Sequence, residues 1–242
     1  FREAHNASPL RAPNGSYLLF HIGSGNDTAH GSSGFLHHSE TPDGPWYPLP
    51  GLSCNNPAPM IHSNGTYFVG CNSGGFKIHR SDDPFEGNWD FVTQLEFPAE
   101  WEGETLRNED VSDLCVIVLL FILQGLLNSL QCLALPGMDT RDNFHLLSHR
   151  FDFADGWPVN PNETLPILVS GHGFSTDGLN WGFNVAEQPY DAAVVFENGT
   201  LQNFSTYERP HLVFNSQGEP THLVNGVQAY WDPPGAAGPC DQ

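Results

Sequence analysis

An all-β chain folded as a β-propeller is predicted by three observations: a turn phrase that recurs at blade spacing, a hairpin template that recurs with it, and a composition dense in turn residues. The phrase reads Ser39-Glu-Thr-Pro-Asp-Gly-Pro-Trp46, then Ser81-Asp-Asp-Pro-Phe-Glu-Gly-Asn-Trp89, then the shorter Ser175-Thr-Asp-Gly-Leu-Asn-Trp181. The first two copies start 42 residues apart and the third 94 further on, one and about two repeats of the length that a four-stranded blade occupies. The 242 residues hold 25 Gly and 20 Pro, so turns are closely spaced and long helical periodicity is missing outside one segment.

Each phrase follows a strand pair built on one template. Pro9-Leu-Arg-Ala-Pro-Asn14-Gly-Ser-Tyr-Leu-Leu-Phe aligns with Pro59-Met-Ile-His-Ser-Asn64-Gly-Thr-Tyr-Phe-Val-Gly. Asn-Gly between two short apolar runs predicts a hairpin, with both residues at the positive φ of a primed turn. Weaker copies run from Met138 to Ser148 and from His211 to Val224, each as strand, polar turn and strand. Four blade starts fall near residues 6, 56, 108 and 208, and about four blades are evident. The reading is one propeller domain over 1–242; the sequence opens at Phe1 in mid-pattern and stops soon after the fourth start, so two alternatives are open, a fragment truncated at either end or a domain closed by pairing of its ends.

With 8 Lys and Arg against 28 Asp and Glu the net charge is −20, which argues against nucleic acid and anionic membrane surfaces as partners. Seven Asn-x-Ser/Thr sequons, at Asn6, Asn14, Asn26, Asn64, Asn162, Asn198 and Asn203, point to a secreted or lumenal glycoprotein. Asn6 is the poorest acceptor of the set, because Pro9 follows its Ser8. Of the five cysteines, Cys54 and Cys71 flank one predicted strand pair and are the candidates for a disulfide in an oxidising compartment.

The stretch from Leu114 to Pro136 departs from the pattern. It has no charged residue and is long enough to span a bilayer, yet a span here would put successive blades on opposite sides of a membrane. It also interrupts the run from Arg107-Asn-Glu-Asp110 to Met138-Asp-Thr-Arg, where the template expects one strand. Residues 111–137 are therefore read as an insertion of non-native origin, such as an unspliced intron or a faulty gene model. A transmembrane anchor and a buried helix are the alternatives, and the membrane is a partner only under the first of these.

The residues at the blade starts carry a resemblance to a known group. They read His5-Asn6-Ala-Ser-Pro9, Asn55-Asn56-Pro57-Ala-Pro59, Asn108-Glu109-Asp110 and Tyr207-Glu208-Arg209-Pro210-His211. Together with the Ser-x-x-Pro-x-Gly-x-Trp phrases they resemble the superfamily of glycoside hydrolase family 43 and families 32, 62, 68 and 117, the arabinanase, levansucrase and invertase type. The resemblance implies a five-bladed β-propeller whose inner strands converge on a central funnel, acting on poly- or oligosaccharide. In that superfamily a first-blade carboxylate is base or nucleophile, a third-blade aspartate tunes pKa and stabilises charge, and a fourth-blade glutamate is the general acid. By motif Asp110 matches the aspartate, with Val111 where Pro often follows. Glu208, in Glu-Arg-Pro, resembles the Glu-Gly-Pro setting of the acid. Asn6 stands where the first-blade aspartate is expected, which leaves the base to Asp27, Glu3 or sequence outside this chain. No cofactor is required, and a structural calcium ion in the funnel is compatible with the resemblance.

The chemistry explains why carboxylates belong there. One must stay protonated to give a proton to the leaving oxygen, while an ionised partner activates water or attacks the anomeric carbon. Crowding Glu109, Asp110 and Glu208 in one funnel would separate their pKa values through like-charge repulsion. Arg209 offers a planar fork to a carboxylate or sugar hydroxyl, and His5, Asn6, Asn56 and His211 are candidate donors to substrate. Trp46, Trp89 and Trp181 belong to the turn phrase and are expected to pack. Trp101, Trp157, Tyr190 and Trp231 lie outside it and are the candidates for a sugar-stacking platform. His172-Gly-Phe-Ser-Thr-Asp-Gly resembles a sialidase Asp-box one residue short and is read as a structural hairpin. A non-catalytic carbohydrate-binding propeller is the competing reading.

Overall fold

A computed structural model describes residues 3–24, 35–50, 52, 54–72, 75–98, 111–119, 130–132, 143–149, 170–191, 193–204, 206–215 and 220–228. These residues form strands and turns without a helix. The first sheet is a four-stranded antiparallel meander of β1 (Glu3–Arg11), β2 (Tyr17–Ser24), β3 (Phe35–Ser39) and β4 (Tyr47–Leu49). The second repeats it with β5 (Ala58–Ile61), β6 (Tyr67–Asn72), β7 (Phe76–Ser81) and β8 (Asp90–Gln94). The third contains β9 (Val111–Leu119), β10 (Leu130–Cys132), β11 (Phe144–His149), β12 (Ser170–Ser175) and β13 (Gly182–Asn184), in the order β10-β9-β11-β12-β13. Two hairpins complete the set: β14 (Ala193–Val195) with β15 (Leu201–Asn203), and β16 (Thr206–Phe214) with β17 (Pro220–Gln228).

The Asn-Gly hairpins form where the template puts them, with different turn chemistry. In all three copies the glycine N–H closes on the carbonyl three residues back: Gly15 on Ala12, Gly65 on His62 and Gly199 on Phe196, at 2.9, 2.9 and 2.8 Å. Only the glycine has positive φ, +92°, +90° and +81°. The turn is thus unprimed, followed by a left-handed glycine. The Asn contributes its side chain: Oδ1 of Asn14, Asn64 and Asn198 accepts from the N–H of Ser16, Thr66 and Thr200 at 3.0, 2.9 and 2.9 Å. An Asx turn replaces the positive φ expected of it.

Packing follows from alternation along β6, which is buried on both faces. Tyr67, Val69 and Cys71 join Leu18, Phe20 and Leu36 of the first sheet in one apolar cluster, whereas Phe68 joins Phe144 and Leu146 of the third in another. A strand with period 2 can serve two cores only if its sheet lies between two others. The tryptophans of the second and third phrases pack against these two clusters. Trp89 meets Phe20 edge to face at 6.0 Å, and Trp181 lies 6.4 Å from Phe144. Phrase serines Ser39, Ser81 and Ser175 are buried at the ends of the third strands. The Asp-box-like turn is structural: Asp177 Oδ1 accepts from the N–H groups of Leu179 and Asn180 at 2.8 Å each, which holds its carboxyl well below the usual range.

Residues 111–119, the start of the apolar segment, are strand β9 rather than helix, paired with β11 and with β10. Among the described residues no helix is long and apolar enough to cross a membrane. Residues 120–129 and 133–137 of the segment lie outside the described residues, as do Trp101, Trp157, Trp231 and Asp27.

Candidate functional site

Neighbouring inner strands come close in sequence order: β1 approaches β5, β5 approaches β9, and β9 approaches β16. The beginning of each carries the same irregularity. In β1, His5 pairs with Ile22 and Ser8 with Phe20, so Asn6 and Ala7 together oppose His21. In the second sheet the Asn72 N–H donates to the Asn55 carbonyl at 2.7 Å while Ala58 pairs with Gly70, so Asn56 and Pro57 oppose Cys71. In β16, Glu208 pairs with Gly226 and His211 with Val224, which sets Arg209 and Pro210 against Asn225. In β9, Val111 pairs with Ser148 and Asp113 with Leu147, leaving Ser112 as the extra residue. These are two-for-one β-bulges, which bend the strand and re-aim side chains.

Two of the bulges meet. Arg209 Nη1 donates to Asn56 Oδ1 at 3.5 Å, across 153 residues of sequence. Among the described residues these same two are the non-glycine residues with positive φ, +47° for Asn56 and +53° for Arg209. Asn tolerates that region, but for Arg it costs about 1–2 kcal/mol. Two strained residues that touch are the kind of feature that clusters at functional sites. A further link joins β1 to the second bulge, where Ser8 Oγ donates to the Pro57 carbonyl at 3.0 Å.

The residues opposite the bulges hold them in place. Cys71 is bonded to Cys54, with Cα atoms 5.0 Å apart, so the expected disulfide forms and brackets Asn56. His21 stacks on His37 with ring centroids 5.1 Å apart, and its Nε2 lies 3.2 Å from His37 Nδ1. Tyr190 O–H donates to the carbonyl of Ser148 at 3.3 Å. Burial pushes that hydroxyl above its ordinary value, an effect the neighbouring Asn225 amide partly offsets. Tyr190 is half-buried, with its hydroxyl engaged by the third sheet at the level of the bulges. Ser148 and Asn225 escaped sequence reasoning; the residue opposite the Arg209-Pro210 step would have pointed to Asn225.

Of the expected site residues, Asn56 and Arg209 are in contact, and His211 is exposed immediately past its bulge. His5, Asn6 and Glu208 have their backbone in β1 and β16, and their side chains lie outside the described residues. Glu109 and Asp110 lie wholly outside them. Among the described residues no group of three or more His, Cys, Asp or Glu side chains could hold a metal ion. Arg209 keeps a permanent positive charge at the bulges, and the side chains of the expected carboxylates Glu109, Asp110 and Glu208 lie outside the described residues.

No family model matches the chain, and no curated protein matches it. Among solved structures it is similar to a complex of the GH93 α-L-arabinofuranosidase of Fusarium graminearum with arabinobiose, at TM-score 0.46 and 13% identity over 97% of this chain and 59% of that one. The endo-arabinase of Bacteroides thetaiotaomicron gives 0.40 and 18% over 95% and 75%, and an endo-1,4-β-xylanase of the same organism 0.41 and 13% over 92% and 76%. The chain thus spans 59% of the length of the arabinofuranosidase. The family 43 resemblance rests on the motifs quoted above.

Proposed function

We propose that the sheets are successive blades of a five-bladed β-propeller glycoside hydrolase of the family 43 type, cutting poly- or oligosaccharide. The observation that carries this reading is the recurring bulge at the start of the inner strands, with Asn56 and Arg209 meeting across two of them. Glu208 pairs with Gly226 immediately before the bulge at Arg209, and in the sequence Asp110 directly precedes Val111, where β9 begins. The Glu-Arg-Pro and Asn-Glu-Asp motifs support Glu208 as general acid and Asp110 as the aspartate that raises its pKa and stabilises developing positive charge. Arg209, Asn56, His211, His5, Asn6 and Glu109 would orient sugar hydroxyls around them. The disulfide supports a secreted or lumenal setting. The part of 111–137 beyond β9 remains, in this reading, an insertion without a catalytic role, and sequencing the transcript tests that.

A second reading is favoured by the amides: Asn6 and Asn56 occupy one position in two bulges, which suits a propeller that binds sugar without cleaving it. Arabinan, xylan, fructan and galactan oligosaccharides distinguish the two. Hydrolysis by the wild type that is lost in Glu208→Gln, in a protein still folded and still binding sugar, is the expected outcome. Binding without cleavage by the wild type selects the second reading, and neither binding nor cleavage on any member of the panel refutes both.

A further inference from the structure

The three Asn-Gly-Ser/Thr turns offer more than a hairpin. Asn14, Asn64 and Asn198 are exposed at their tips, and each closes the same five-residue loop, in which the backbone of the sequon's Ser or Thr reaches the Asn side chain. In the first, Ser16 Oγ also donates to Asn14 Oδ1 at 2.7 Å. The sequon at Asn6 is built differently. Asn6 sits in the β1 bulge, its Ser8 hydroxyl is spent on the Pro57 carbonyl at 3.0 Å, and Pro9 follows.

Position separates the two kinds of sequon as well. The bulges lie at the beginning of β1 and β5, whereas Asn14 and Asn64 lie beyond the far ends of those strands. Four strand residues at about 3.3 Å each put roughly 13 Å between bulge and turn. A bulky group on Asn14 or Asn64 would project from the end of the sheets away from the bulges. The Cys54–Cys71 disulfide independently indicates the oxidising compartment in which such a group is added.

We infer that Asn14, Asn64 and Asn198 are N-glycosylation sites and that Asn6 is not. The co-reactant is an oligosaccharide carried on a polyprenyl diphosphate and delivered by a transferase. The Asn Nδ2 attacks the anomeric carbon, a C–N bond forms, the C–O bond to the diphosphate breaks, the lipid diphosphate leaves, and Nδ2 loses one proton. Unlike the proposed hydrolysis, this requires nothing of the carboxylates and stands or falls separately.

The test is to direct the full chain into the secretory pathway of a eukaryotic cell, treat lumenal and secreted material with peptide N-glycosidase, and map asparagines converted to aspartate. Conversion at 14, 64 and 198 with Asn6 intact is expected. An unconverted asparagine at any of the three, in material from either source, overturns the assignment there, and conversion at Asn6 overturns the argument from position. Because Asn→Gln could disturb the turns, Thr66→Ala is the second variant: it removes the sequon hydroxyl, keeps the Asn64 side-chain bond to the backbone, and should lose one glycan while leaving sugar binding or hydrolysis unchanged.

Discussion

If Arg209 is held at φ +53° by its surroundings, replacing it should reverse the usual order of alanine and glycine. Arg209→Ala and Arg209→Gly both remove the guanidinium and its 3.5 Å bond to Asn56, so the difference between them isolates the backbone. Alanine retains the left-handed strain of about 1–2 kcal/mol, and glycine is free of it. Glycine in turn loses about 0.5–1 kcal/mol of chain entropy on folding. The remainder favours Arg209→Gly by about 0.5–1 kcal/mol. At a urea dependence near 2 kcal/mol per molar, its midpoint lies about 0.25–0.5 M above that of Arg209→Ala. Val213, in the same strand and not among the positive-φ residues, is the control: there alanine should exceed glycine by about 0.5–1 kcal/mol. Both Arg209 variants should lose sugar binding or turnover equally. An Arg209→Gly midpoint at or below that of Arg209→Ala refutes the argument that the bulge stores strain.

Three further outcomes follow from the packing. Replacing Cys54 and Cys71 by Ser opens a link across 17 residues and should cost about 3 kcal/mol, read as a fall of about 6–12 °C in thermal midpoint. Burial holds His172 below its ordinary pKa, so it is neutral when folded while the unfolded chain takes up a proton. Its contribution to stability is present above pH 6.5 and is lost on acidification, by up to about 1.4 kcal/mol per pH unit; His172→Gln should flatten that slope in urea titrations at successive pH values. Gly70→Ala would drive a Cβ into the ring of Phe76, itself 2% exposed, and should cost about 1–3 kcal/mol, part of which Phe76→Leu restores in the double variant.

The sequence carried the repeat well because turns are local. Ser39, Ser81 and Ser175 are all buried where their phrases begin, the tryptophans of the second and third phrases do pack, and Asn14, Asn64 and Asn198 do build hairpins. It misjudged how the asparagine works, since an Asx bond and a positive φ leave the same Asn-Gly signature. The engagement of the Tyr190 hydroxyl was hidden for another reason. Its surroundings come from Ser148 and Asn225, tens of residues away in either direction, and nothing in the residues next to it announces a buried hydroxyl. The strand over 111–119 was hidden by composition, because a short apolar run reads equally as strand, buried helix or span. The bulges left one trace, a proline after Asn56 and after Arg209, which without register could not be told from an ordinary turn.

The recurrence of the bulge with different residues in it explains how such a scaffold separates structure from chemistry. A bulge places an extra residue at the start of the inner strand whatever that residue is, and the ladder resumes normally on either side. Asn6, Asn56 and Arg209 hold the same place in three bulges, yet they differ in charge, size and hydrogen-bonding capacity. What they share is support from elsewhere: a disulfide behind Asn56, a stacked histidine pair with His21, and a half-buried tyrosine between Ser148 and the strand of Asn225. Because those supports lie one strand out from the bulge, residues at the bulge can change without dismantling the sheet. In the proposed reading the identity of the bulge residues carries function, and the residues opposite them carry stability. It follows that Tyr190→Phe should lower the unfolding midpoint while leaving the preference among sugars unchanged, whereas Asn56→Asp should change that preference with little effect on the midpoint.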